Sequence, residues 1–170
     1  MIIITIGDRK SVDPNTDELG RTEVGYTPDM TQRDLFDAAR ASWLLSPETA
    51  EDELYALVVH RGRVVQAIEI DHLVPVGTNR RRIEGTYLRP GHQVYDTHVG
   101  KRSPVPPQRN PIRYWSSPFD GRPCLCGCGK TTKRGRFVVG HDQKALHERI
   151  GRIGTVTDFV EWFDRAWPAP

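Results

Sequence analysis

Three cysteines fall within five positions, in the run Cys124-Leu-Cys126-Gly-Cys128-Gly, and the chain has no others. An odd, clustered set cannot build a spread disulfide framework, so this run reads as metal binding. Thiolates and imidazoles are the ligands zinc prefers, in tetrahedral sets of four. Gly127 and Gly129 let the backbone curl around an ion without Cβ clashes. Two ligand sets fit. One is Cys124, Cys126, Cys128 and His141. The other is Cys124, Cys128, His141 and His147, whose spacing also satisfies a two-cysteine, two-histidine pattern. In the second set the two histidines lie six positions apart on a helix, which is wide for one ion. The first set is preferred, with zinc as the expected cofactor.

Charge is distributed unevenly. Residues 1–60 carry 5 basic and 12 acidic side chains, whereas residues 61–150 carry 17 basic and 7 acidic ones. A polarised chain of this kind can present a positive face to phosphate. No stretch approaches the length of a membrane-spanning helix. Residues 1–6 are apolar, but Asp8, Arg9 and Lys10 follow at once, so they read as a first strand and not as a secretory leader. A cytoplasmic protein with no membrane partner is expected.

Further along, residues 7–30 read as loop and turns. Thr31 is a good N-cap, and apolar spacing through Leu35, Ala38, Ala39 and Trp43 predicts a helix near 32–45. The clearest hairpin joins residues 54–60 to 64–70 across Arg61-Gly62. Residues 80–89 and 112–115 suggest further strands, and residues 103–118 are Pro-rich and extended. Thr155 or Thr157 caps a last helix with Val156, Phe159, Val160 and Phe163 on one face.

The Cys-x-Cys-Gly-Cys-Gly run, followed by Phe137 and then Gly140-His141-Asp142, resembles a small zinc module of actinobacterial and phage proteins. Its basic residues Lys130, Lys133, Arg134 and Arg136 also suit phosphate. Residues 1–115 resemble a PUA-like domain, of the EVE and ASCH style, found in restriction systems and phages. The resemblance is carried by the N-terminal strand, Asp17-Glu18-Leu19 and the helix ending at Trp43. It continues through the hairpin from Tyr55 to Asp71, Val99-Gly-Lys-Arg-Ser103 and Asn110-Pro-Ile-Arg-Tyr114. Pro104, Pro106 and Pro107 depart from the more aromatic and basic run of that family.

Together the resemblances imply an α+β chain. Residues 1–118 would form a PUA-like bent β-barrel with flanking helices, and residues 119–170 a zinc module with a C-terminal helix. They imply a nucleic-acid-binding protein, for DNA or RNA, that reads a modified, flipped base in a phage or defence setting. A flipped base needs an aromatic plane and polar groups at its edge. Trp43 and Tyr114 offer planes, Asn110 and Arg113 edge or phosphate contacts, and Lys101 and Arg102 phosphate contacts in a Gly-led turn. The loop at 99–102 and the segment 110–114 are expected to flank a pocket closed by Trp43.

Two alternatives remain. Asp71-His72-Leu-Val-Pro75 resembles the opening of an HNH-type metal-dependent endonuclease, with His98 and Lys101 at its close. However, Tyr87 stands where that family has its middle Asn, and Asp71 and His72 are not expected to be catalytic. The second alternative is a protein-interaction adaptor that uses the Pro-rich segment.

Overall fold

Ile2, Ile3, Ile4 and Ile6 form an apolar run with no polar alternation, the pattern of a strand covered on both faces. In the computed structural model, which describes residues 1–133 and 135–168, this run is β1 (Ile2–Ile6). The chain divides into two compact units, Met1–Asp120 and Gly121–Pro170. In the first unit β1 is followed by β2 (Lys10–Ser11), β3 (Glu23–Val24), α1 (Gln32–Ala39) and α2 (Pro47–Ala50). Then come β4 (Tyr55–His60), β5 (Arg63–Val76), β6 (Arg80–Tyr87), α3 (Gln93–His98) and β7 (Ile112–Tyr114). The second unit holds β8 (Arg122–Pro123), β9 (Thr131–Thr132), α4 (His141–Ile153) and α5 (Val156–Ala166).

The chain is thus mixed α+β. Its main sheet has five strands in the order β6-β5-β4-β1-β7. β1 runs parallel to β4, and every other neighbour in this sheet is antiparallel. Among the described residues no pairing joins β6 to β7, so the strand ladder is open at both edges. Ile2, Ile4 and Ile6 pack with Leu35, Phe36 and Ala39 of α1 on one face. Met1, Ile3, Leu57 and Val64 pack with Val94 of α3 on the other.

Local chemistry explains most boundaries. Thr31 caps α1 by accepting from the Asp34 N–H at 3.1 Å. The helix ends at Ala39, short of the expected residue 45. Trp43 exchanges backbone hydrogen bonds with Arg81 at 3.0 and 2.8 Å, and the Ile83 N–H reaches Arg40 O at 2.8 Å. Sheet pairing therefore captures residues 40–43 that helical periodicity alone would continue. The β4–β5 turn is a two-residue loop with Arg61 and Gly62 at φ of 48° and 77°, the twist-matched hairpin form. β5 runs beyond the expected residue 70 because β6 pairs with it as far as Val76. β4 leaves β5 at Glu69, and past that point Pro75 lies where β5 has a partner on one side alone.

In the second unit Thr155 and Asp158 form a reciprocal capping box that starts α5. Its apolar side stays open to solvent, with Val156, Val160, Trp162 and Phe163 all exposed. No helix among the described residues is long and apolar enough to cross a membrane.

Candidate metal centre and nucleic-acid interface

The short β8–β9 hairpin turns the chain so that Cys124, Cys126 and Cys128 curl around one point. Gly127 and Gly129 have φ of 79° and 76°, a left-handed backbone in which a side chain would be strained. The loop is pinned by Cys124 N–H to Lys130 O at 2.8 Å and Gly127 N–H to Cys124 O at 2.9 Å. His141, the first residue of α4, completes the group. Its Nδ1 lies 3.8, 3.2 and 3.3 Å from the sulfurs of Cys124, Cys126 and Cys128. The Cys124 and Cys126 sulfurs are 3.3 Å apart, and all four ligand atoms fall within 4.8 Å of one another.

A tetrahedral zinc site with bonds of about 2.3 Å to sulfur and about 2.0 Å to nitrogen has ligand edges of roughly 3.5–3.8 Å. The four residues therefore fit a metal ion of this size. His147 is exposed in α4 and lies outside the group. Arg134, one of the basic residues noted beside the run, lies outside the described residues.

Electrostatics point the same way. Desolvation would raise the Cys124 thiol, but backbone N–H groups of Cys126 and Val138, with the neighbouring thiols, bring it below its ordinary value. Desolvation and then the Cys124 and Cys128 sulfurs push Cys126 up to about 11. Three sulfurs this close resist ionising together unless a cation sits among them, which a bound metal supplies.

The first unit has a cleft of 680 Å³, within the range of small-ligand sites. Its walls come from the end of β1, the loop that carries β2 and β3, and the stretch from α1 to Trp43. Trp43 is half-buried on this wall, and its indole N–H is fixed on Ala39 O at 2.6 Å. Arg21 ties the loop down, forming a two-point ion pair with Asp17 and donating to Ala41 O at 2.9 Å. Ser42 donates its hydroxyl to Glu18. Lys10, on the same wall, is exposed with no polar side-chain partner among the described residues.

The Arg21 guanidinium outweighs desolvation and, with backbone N–H groups of Arg21 and Leu19, lowers Asp17 from 3.8 to about 2. A depressed carboxyl stabilises the fold fully above its unfolded value, and the contribution is lost as pH falls through the folded value. Thermal melts should therefore show the parent losing its advantage over Asp17→Asn between about pH 4 and about pH 2. A gap that stays constant over that window would remove the ion pair as the anchor of this loop.

The residues expected to form one pocket are spread over the unit. Of the six, Trp43 alone lines the cleft. Lys101 and Arg102 lie against the start of β5, where the Val64 N–H reaches Lys101 O at 2.9 Å. The Lys101 ammonium donates to Asp96 O at 2.9 Å, in α3. Asn110 Oδ1 accepts from the Ile112 N–H at 3.0 Å, which shapes the turn into β7. Arg113 and Tyr114 belong to β7, and the Tyr114 ring packs against the core. Residues 5–25 form the cleft instead, because sheet order carries 99–102 and 110–114 to opposite sides of the β1–β4–β5 centre.

Asp71 and His72 are neighbours on β5, both exposed. His98 is buried, edge-on to Trp115 and Phe119 with ring centroids 5.6 and 5.7 Å away. Desolvation, and secondarily the Lys101 charge, hold its pKa below the usual value.

No family model, curated protein or solved structure matches the chain.

Proposed function

We propose that Met1–Asp120 is a nucleic-acid-binding domain of the PUA-like kind, and that Gly121–Pro170 carries one structural zinc ion. In this reading the five-stranded sheet forms the wall of the bent barrel, and the Trp43 cleft receives a nucleobase from DNA or RNA. The observation that carries it is the cleft itself. It joins a fixed aromatic plane to hydroxyl, carboxylate and ammonium groups within a volume roomy enough for a base together with its sugar and phosphate. Trp43 supplies the stacking face, and Thr5, Thr16 and Lys10 supply polar contacts at the base edge and sugar-phosphate. Pocket shape and edge contacts are how a flipped, modified base is told from an ordinary one, which fits a role in phage or defence systems.

Binding is proposed over cleavage for a physical reason. Among the described residues, Cys124, Cys126, Cys128 and His141 form the group of three or more potential metal ligands, and Asp71 and His72 gather no such set. Three cysteines and one histidine make a closed four-ligand shell, the kind that holds structure and leaves no open position for water. Thiolate ligands of this type persist in a reducing compartment, which favours the cytoplasm.

The test is fluorescence anisotropy with single-stranded and mismatch-containing oligonucleotides, with and without base methylation or hydroxymethylation. Trp43→Ala should weaken binding by about 1–3 kcal/mol, roughly 5- to 150-fold, and abolish any preference for the modified base. Equal binding by parent and variant across the series would show that the cleft is not a base site.

A further inference from the structure

We infer that Arg63 and Arg102 form a phosphate site, and that the groove around them carries the sugar-phosphate backbone of the strand whose base enters the Trp43 cleft. The second clause rests on the nucleic-acid reading above; the first stands on its own observations.

Arg63 and Arg102 face each other across an antiparallel bridge. Side chains directly opposite in such a pair share one face of the sheet, with Cβ atoms about 4.5–5.5 Å apart, and like charges there are destabilising. Both arginines are exposed. Among the described residues neither guanidinium has a hydrogen-bond or ion-pair partner. Arg9, Arg21, Arg33, Arg40, Arg61 and Arg82 of the same unit each meet a carboxylate, whereas Arg81, Arg89, Arg109 and Arg113 meet none among the described residues; what sets Arg63 and Arg102 apart is that the two stand opposite each other on one bridge. An anion between the two free guanidinium forks turns the repulsion into two charge-assisted contacts. The planar fork matches phosphate oxygens better than any other side chain does.

The surroundings suit a phosphodiester. A groove of 580 Å³ is lined by Arg61, Gly62, Arg63, Arg102 and the stretch from Ser103 to Pro107, with no acidic residue in its wall. Pro104, Pro106 and Pro107 stiffen one side. The other side is held by hydrogen bonds from Gly100 N–H to Val64 O at 2.8 Å and from Ser103 N–H to Gly62 O at 2.8 Å. These bonds use the flank of β5 that β6 leaves free, since β6 begins its pairing at Ile68. Both walls are therefore set before any ligand arrives, which lowers the ordering cost of binding.

Position links the groove to the cleft. Arg61 lines the groove, Asp8 lines the cleft, and the two form an ion pair at 2.8 Å. The two concavities are thus linked through this pair. A backbone lying along Arg63 and Arg102 can turn a base inward past Asp8 toward Trp43. A positive groove beside an aromatic platform is the general arrangement for single-stranded nucleic acid. Arg102 takes the phosphate role here, while the Lys101 ammonium stays on α3.

The test uses the full chain with Arg63→Gln/Arg102→Gln and two probes, a labelled single-stranded oligonucleotide and inorganic tripolyphosphate. Against the oligonucleotide, the double variant should bind more weakly at every sequence. Its slope of log affinity against log salt should fall by about one per arginine. Trp43→Ala should instead lower affinity with the slope unchanged. Against tripolyphosphate, calorimetry should show binding by the parent and by Trp43→Ala, and none by the double variant. The double variant should melt no lower than the parent, because it removes an unfavourable pair and no contact. Parent-like oligonucleotide affinity and slope in the double variant would overturn the groove and leave the base cleft standing. Tripolyphosphate binding that depends on both arginines, with no oligonucleotide bound by the parent, would overturn the base cleft and the strand path but keep the phosphate site. Tripolyphosphate binding unchanged by the double variant would overturn the phosphate site itself.

Discussion

Chelation of the metal is expected to unfold the second unit. Its buried side chains among the described residues are Cys124, Ala145 and Ile150, far too few to support a fold by apolar burial. A metal held by the four clustered residues would supply the difference, since structural zinc contributes about 10–16 kcal/mol in zinc-finger peptides. α4 and α5 are 13 and 11 residues long, against 8, 4 and 6 for α1, α2 and α3. Excess chelator should therefore remove about half of the far-ultraviolet helical signal, and added zinc should restore it. Cys128→Ser should show the reduced signal without chelator. Thiol modification of the native protein should release about one zinc per chain into a chromophoric chelator. An unchanged spectrum in chelator, together with three freely titrating thiols, would dismiss the metal site.

The second large effect is expected at Gly85. This residue lies in β6 opposite Ile70, next to the register shift at Asp71. A Cβ built on it would stand 2.0 Å from Glu69 O and 3.2 Å from Ile70 Cα, both backbone atoms. The contact can be relieved only by parting β5 from β6. Gly85→Ala should therefore cost about 3 kcal/mol or more, the upper end for overpacking. That lowers the melting temperature of a unit this size by about 10 °C. Gly7→Ala is the matched control, because its added Cβ meets nothing within 4 Å. It should stay within about 1 kcal/mol of the parent. Equal melting of the two variants would mean that β5 and β6 are not this close at Gly85.

What the sequence reveals of this architecture follows the range of the interactions involved. The hairpin around Arg61-Gly62, the Thr31 cap and the Thr155 cap each depend on residues within a few positions, and each is legible from the chain. The same holds for the grouping of Cys124, Cys126, Cys128 and His141, since Cys124 to Cys128 form one loop and His141 opens the next helix. Nothing in the sequence marks α3. Its only buried residues are Val94 and His98, and its N-cap is the His92 side chain, so neither periodicity nor a usual capping residue marks it. The true end of α1 was hidden too, because it is set by Arg81, about 40 positions away. The cleft is the least legible feature. Trp43 carries the right chemistry, but its companions come from the loop after β1, which composition marks only as irregular. The donor and acceptors of Asn110 suggest a base-edge or phosphate contact. In the fold its carbonyl oxygen shapes the turn before β7, a role that Asn often takes beside Pro.

The parallel contact between β1 and β4 also governs the order of assembly. The β4–β5 hairpin closes a loop of two residues, whereas docking β1 beside β4 closes one of about 50, from Gly7 to Leu54. Loop-closure entropy separates these events by about 3 kcal/mol. The meander of β4, β5 and β6 is therefore the natural nucleus, and β1 is a late addition to its edge. Yet β1 is the strand buried most completely on both faces, and β7 completes it only from residue 112 onward. During synthesis the most apolar strand thus waits longest for its partners, and the unit's exposure to aggregation is concentrated in that interval.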